Sequence, residues 1–157
     1  MNKSGLKKYL LILGAISILA LTLRLIAGFQ MSNLPNSQVV RPGSQTDMFT
    51  YLKYAHQLTT GTYSDFDGSY YYQPFYYAVF LRFLFSVFGT DPTVVIVSQA
   101  VLGAVTVFLC GLIGARLGGK RAGIVGAVIL TLFRDHILYT PFALLAILQT
   151  FLITCVV

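Results

Sequence analysis

Charge is what this 157-residue sequence has least of: 10% of its residues, and none of them Glu, against roughly 25% in a soluble domain. With 56% apolar residues and a mean hydropathy of +0.75, the scarcity excludes a soluble globular domain, a disordered tail and a nucleic-acid module. Lacking Glu, the chain has Asp47, Asp65, Asp67, Asp91 and Asp135 as its only acidic side chains. Any acid–base or metal chemistry done by carboxylates must use those five. Cysteine is scarce too. Cys110 and Cys155 lie in apolar runs far from His or Asp, which gives neither a disulfide framework nor a metal-ligand spacing. At about 100–200 residues per domain, the length allows one membrane domain, 1–157.

Long apolar runs are what is present. A bilayer core of about 30 Å takes about 20 residues of helix. Tyr9 to Phe29 is such a run, interrupted by Arg24, and Lys3, Lys7 and Lys8 precede it. It reads as a signal anchor, because no small-residue cleavage site follows; a cleaved signal peptide is the lesser reading. Pro92 to Ala115 and Ile137 to Val157 are free of charge. Between them, 122–134 spans if Arg121 and Arg134 snorkel to opposite interfaces; a re-entrant hairpin over 122–157 is the alternative. The spacing thus predicts an all-α integral membrane protein of about four spans. These are 9–29, 92–115, 122–134 and 142–157, the last read as truncated.

The charges sort by side. Lys3, Lys7, Lys8, Arg116, Lys120 and Arg121 fall on one side and all five Asp on or near the other. By the positive-inside rule, residues 1–8 and the turn 116–121 face the cytoplasm, and the loop 30–91 and turn 135–141 face out. The net charge of +6 and pI of 9.5 therefore report topology; no nucleic-acid partner is expected. Gly103, Gly111, Ala115, Gly119 and Gly123 recur at multiples of four, which lets helices approach closely in lipid.

The outer loop carries the chemistry. Residues 46–58 place Met48, Leu52 and Ala55 at helical spacing over too short a stretch to cross a bilayer. An interfacial amphipathic helix fits, with Ser44 or Thr46 as N-cap and Gly61 just past its end. After the soft turn 64–69, a second interfacial helix over 74–89 starts at Pro74 and carries Arg82. Eight of the ten Tyr lie between Tyr51 and Tyr77, a composition that anchors a segment at headgroup depth.

The string Asp47-x3-Tyr51-x3-Ala55-x5-Gly61, the Tyr-x-Pro at 72–74, and the aromatic–aliphatic run ending Val87-Phe88-Gly89 follow one another in order. Ser98 to Gly123 comes next. Together these resemble the N-terminal part of GT-C membrane glycosyltransferases, of the protein O-mannosyltransferase-like and aminoarabinose-transferase-like kinds, over about 10–141. The resemblance implies an incomplete GT-C-type fold in a bacterial inner or plasma membrane, with its active-site loop outside. It would move a sugar from a polyprenyl-phosphate carrier to a glycan, lipid or protein acceptor. Asp47 stands where such families carry an acidic residue and would act as general base. A cation among Arg41, Lys53, Arg82 and Arg134 would stabilise the leaving phosphate. Tyr51, Tyr72, Gln73, Arg134, Asp135 and His136 are the candidate substrate-binding residues, with Asp135 and His136 as candidate ligands if a divalent metal takes part. His56, half a turn around its helix from Asp47, is not expected to join them.

The bland readings stand beside these. A carboxylate in a first helical turn is favoured by the helix dipole alone, a single Tyr is more often an anchor, and Asp135 pairs with Arg134 or caps a segment. The chain also departs from the family: Met48 stands where a second acid is common, and Leu145–Leu148 where an acid often opens the fourth span. With spans expected to follow, these 157 residues alone are expected to be inactive. The alternative is a small four-span protein without enzymatic activity, an assembly partner or transporter subunit.

Overall fold

A computed structural model describes residues 3–35, 37, 39, 41–63 and 72–157. Their regular structure is all helical, in the order α1 (Lys3–Ser32), α2 (Asp47–Thr60), α3 (Phe75–Phe88), α4 (Pro92–Leu132), α5 (Arg134–Leu138) and α6 (Ala146–Val156). Two of them, α1 and α4, are long and apolar enough to cross a membrane.

α4 is two helical arms joined at a sharp kink. Gly118 and Gly119 leave helical backbone, and Gly119 takes φ 80°, a left-handed conformation that costs glycine little. The chain reverses there, so that a side chain on Gly114 would meet the Gly123 backbone and one on Gly123 would meet Gly111 and Tyr9. The arms 92–117 and 120–132 thus run antiparallel. α1 packs on both: Gly28 faces Ile96, Arg24 faces Gly103 and Leu13 faces Gly111 along the first arm. Lys120 Nζ donates to Gly5 O (2.9 Å) and Arg24 to Leu130 O (3.3 Å) along the second. Small residues every fourth position allow this close approach, and the Tyr9 hydroxyl closes the seam by donating to Gly111 O at 2.6 Å.

The reversal gathers Lys7, Lys8, Arg116, Lys120 and Arg121 at one end of the three-armed bundle. Asp91, Asp135 and the C-terminus of α1 lie at the other. There α2 and α3 form a cap with its own core, built from Met48, Tyr51, Ala55, Tyr76, Tyr77, Leu81, Leu84 and Phe85, to which Val95, Ala143 and Leu148 contribute.

Several elements differ from expectation. The first amphipathic helix runs to Thr60, capped by Thr46, whose hydroxyl accepts from Phe49 N, and ended by Gly61 at φ 72°. Its buried face is Met48, Tyr51 and Ala55, so Tyr51 takes the place expected for Leu52, which is only partly buried. The helix expected over 74–89 opens as a π-helix, Phe75–Leu81, before becoming α-helical. Its buried residues step from 76 and 77 to 81, then to 84 and 85; the wide π turn is what lets adjacent Tyr76 and Tyr77 both face the core. The turn expected over 135–141 contains α5. The span expected over 142–157 is helical only from Ala146 to Val156, eleven residues, or about 17 Å of helix, short of a bilayer core.

Candidate functional site

Asp47 is the first residue of α2 and is exposed, where its carboxylate lies against the positive end of the helix dipole. One turn further on, Tyr51 is 1% exposed. Its ring stacks on Tyr77 at 5.9 Å and meets Tyr76 edge-on at 5.5 Å, so the ring is committed to packing. Only its hydroxyl has a polar task, donating to Gln73 Oε1 at 2.9 Å. Gln73 itself sits at φ 60°, a conformation a non-glycine residue holds only when its surroundings fix it. Two constraints do so: the Tyr51 bond, and Gln73 O accepting from Tyr76 N at 3.1 Å. Tyr72 beside it is exposed. The structure thus brings together Tyr51 and Gln73, with Tyr72 adjacent in sequence.

The tripeptide 134–136 is divided. Arg134 and Asp135 are exposed, whereas His136 is buried. α5 packs on α1 and α4, while α2 packs on α3. Arg24 Nη2 donates to His136 Nδ1 at 2.8 Å, which places the imidazole proton on Nε2. Burial, and secondarily the Arg24 charge, hold the His136 pKa down to about 4, so the ring is neutral around pH 7. Beside a guanidinium, Nδ1 is a poor ligand for a cation. Among the described residues no three His, Cys, Asp or Glu side chains come together. Asp65 and Asp67, with the turn expected over 64–69, lie outside the described residues.

Two buried residues not singled out as candidates join the elements here, Arg24 around His136 and Gln99 beneath the cap. Arg24 is fully buried and joins three elements, through Ala20 O (2.9 Å), Leu130 O and His136. Gln99, also fully buried, donates to Tyr76 Oη at 3.1 Å and to Phe142 O at 2.8 Å, so it ties the cap to α4 and to the segment before α6. Arg24 had a signal, since a charge inside an apolar run marks a functional or structural contact by default. Gln99 had a weaker one, a lone amide in a charge-free span.

Two cavities flank α3. One, of about 730 Å³, is apolar and is lined by Leu84, Phe88, Val94, Val97 and Leu102 among others. The other, of about 480 Å³, is lined by Arg41, Lys53 and His56 over Phe49, Leu52 and Phe85. Lys53 and His56 lie at least a third of a turn around α2 from Asp47, so this basic cavity and Asp47 face different ways. No protein-family model, curated protein or solved structure matches the chain.

Proposed function

We propose that the chain is a multi-pass membrane protein of the cell inner or plasma membrane and carries the acceptor-side part of a GT-C-type glycosyltransferase. In this reading the basic end of the bundle is cytoplasmic and the cap lies outside. α1 and the two arms of α4 cross the bilayer, with α6 as part of a fourth crossing. The observation that supports it best is the joint between Tyr51 and Gln73. Two separate pieces of the family-like pattern, the Asp47–Tyr51 turn and the Tyr-x-Pro segment, are locked into one unit beside the exposed Asp47.

The chemistry follows from that unit. Asp47 accepts the proton of an acceptor hydroxyl as its oxygen attacks the anomeric carbon. The bond from that carbon to the carrier phosphate breaks, and the polyprenyl phosphate leaves with the electron pair. Because Arg41 and Lys53 line a cavity on another face, Arg82 and Arg134, both exposed, are the cations left to attend the phosphate. Tyr72 and Gln73 hold the acceptor.

A non-enzymatic four-span protein is the second reading, and the burial of Tyr51, Tyr76 and Tyr77 favours it, since these rings serve packing. Asp47→Asn separates the two. Membranes carrying the full-length protein, with the spans expected to follow these 157 residues, should transfer sugar from polyprenyl-phosphate donors, and the variant should lose transfer while inserting and expressing normally; unchanged turnover sinks the enzyme reading. The topology is checked with cysteine labels in intact cells. One at Ser64 should react from outside and one at Lys120 should not, and the reverse would put the cap in the cytoplasm.

A further inference from the structure

The face of α2 turned away from Asp47 has a composition of its own. Lys53 and His56, one turn apart, join Arg41 from the preceding loop around the 480 Å³ cavity, and no acidic residue lines it. Asp91, the carboxylate nearest in sequence to its rim residues Thr90 and Pro92, is engaged elsewhere. Its Oδ1 accepts from Thr93 N at 2.7 Å, an N-cap bond that lowers its pKa, and it lines the apolar cavity instead. Two cationic side chains and an imidazole around a concave surface suit a phosphate group, which accepts several charge-assisted hydrogen bonds at once. Beside α3 lies the larger cavity, lined mostly by aliphatic and aromatic residues, with Asp91, Thr93 and Ser98 as its polar members. One helix thus separates a cationic hollow from an apolar one: Phe85 floors the first, while Leu84 and Phe88 wall the second.

From this juxtaposition we infer that the α2–α3 cap binds an anionic phospholipid, its phosphate headgroup among Arg41, Lys53 and His56 and an acyl chain in the apolar cavity across α3. A soluble phosphate would satisfy the cations but leave the apolar hollow without a role, so the paired cavities favour the lipid. The inference rests on the membrane reading, not on glycosyl transfer, since Asp47 faces elsewhere.

The test is native mass spectrometry of the detergent-solubilised protein with equal amounts of phosphatidylglycerol and phosphatidylcholine. Phosphatidylglycerol should be retained preferentially. Each cation near an anionic headgroup contributes a several-fold preference, so Arg41→Gln with Lys53→Gln should reduce the preference by about tenfold. Lys53→Arg should preserve it. Arg116→Gln with Arg121→Gln, which removes the same charge from the opposite end of the bundle, should also leave it intact. Filling the apolar cavity with Val97→Trp should weaken retention of both lipids. Equal losses from the two double variants would reduce the effect to bulk charge and overturn the site. Displacement by an excess of inorganic phosphate, with no effect of Val97→Trp, would overturn the lipid in favour of a soluble anion. All variants are compared by circular dichroism. Vesicle flotation of the wild type checks membrane insertion separately, so that failure of the membrane reading is distinguished from failure of the lipid site.

Discussion

The bundle and the cap are both helical, yet they are held together by opposite means. In the bundle the contact residues are small: Gly114 and Gly123 bring backbones so close that an added carbon would meet main chain, while Gly103 and Gly111 make room for the side chains of Arg24 and Leu13. The polar contacts there go largely to main-chain oxygens, from Tyr9, Arg24 and Lys120. In the cap the contact residues are large. Tyr51, Tyr76 and Tyr77 fill the space between α2 and α3 with stacked and edge-on rings, and the hydroxyls of Tyr51 and Tyr76 bond to the amides of Gln73 and Gln99. Backbone-close packing leaves little freedom for a second arrangement, whereas in the cap Asp47 at the start of α2 and Tyr72 before α3 stay exposed beside the packed rings. Close backbone packing sits in the bundle and the exposed polar residues sit in the cap, with Gln99 bonded across the two.

That contrast breaks most sharply at a glycine. Gly123→Leu should cost about 3 kcal/mol or more, because its side chain would run into Gly111, Tyr9 and Ala115. The thermal midpoint in detergent should fall, or the bundle should fail to assemble. Gly61, the α2 C-cap, has nothing near it but a φ of 72°. Gly61→Ala should cost only about 1 kcal/mol, all of it backbone strain. Equal losses at the two positions would mean that bundle packing is looser than its geometry indicates.

Acid probes the one buried imidazole. The folded-state pKa of His136 is about 4 and its unfolded value about 6.5. Between these the unfolded chain binds more protons, so the contribution is fully present above about pH 6.5 and is lost as pH falls through about 4. By about pH 5 the loss should be roughly 2 kcal/mol. His136→Gln, which keeps an acceptor for Arg24 without titrating, should flatten this limb. A wild-type midpoint that does not move between about pH 7 and about pH 5 would mean that the Arg24–His136 contact does not persist in the folded protein.

Much of this was legible in the sequence, for identifiable reasons. Hydrophobic run length marked α1 and the first arm of α4, and capping chemistry marked both ends of α2, since Thr46 and Gly61 act locally. The multiples-of-four glycines marked the seam, and the turn read over 116–121 contains Gly118 and Gly119, the non-helical residues at which the two arms of α4 meet. The π turn was out of reach, because it answers a tertiary demand, that Tyr76 and Tyr77 face the same core, which no local pattern carries. The short α6 likewise shows that an apolar run long enough to span need not be helical along its length: residues 139–145 fold as turns, with Leu144 N donating to Phe142 O at 2.7 Å. For the site, Gln73 came from a resemblance and proved to contact Tyr51, while His136, grouped with Asp135 by sequence, is drawn inward by Arg24, a partner 112 positions away.

The smallest expected effect is the most informative about whether cap and bundle are separate units. Tyr51→Phe keeps the ring stacked on Tyr77 and removes only the donor to Gln73, which should cost about 1 kcal/mol. Gln73→Gly loses the same bond but relieves the positive φ, so its net effect should be close to zero. In the double variant the bond is lost only once, and the two changes should therefore be non-additive by about 1 kcal/mol. Hydrogen exchange locates the effect. If the cap opens on its own, amides of α2 and α3 should exchange faster in Tyr51→Phe while those of α1 and α4 stay as protected as in the wild type. Uniform acceleration across all four helices would show that Gln99 couples the two regions into one cooperative unit, and the contrast between rigid bundle and adaptable cap would not hold.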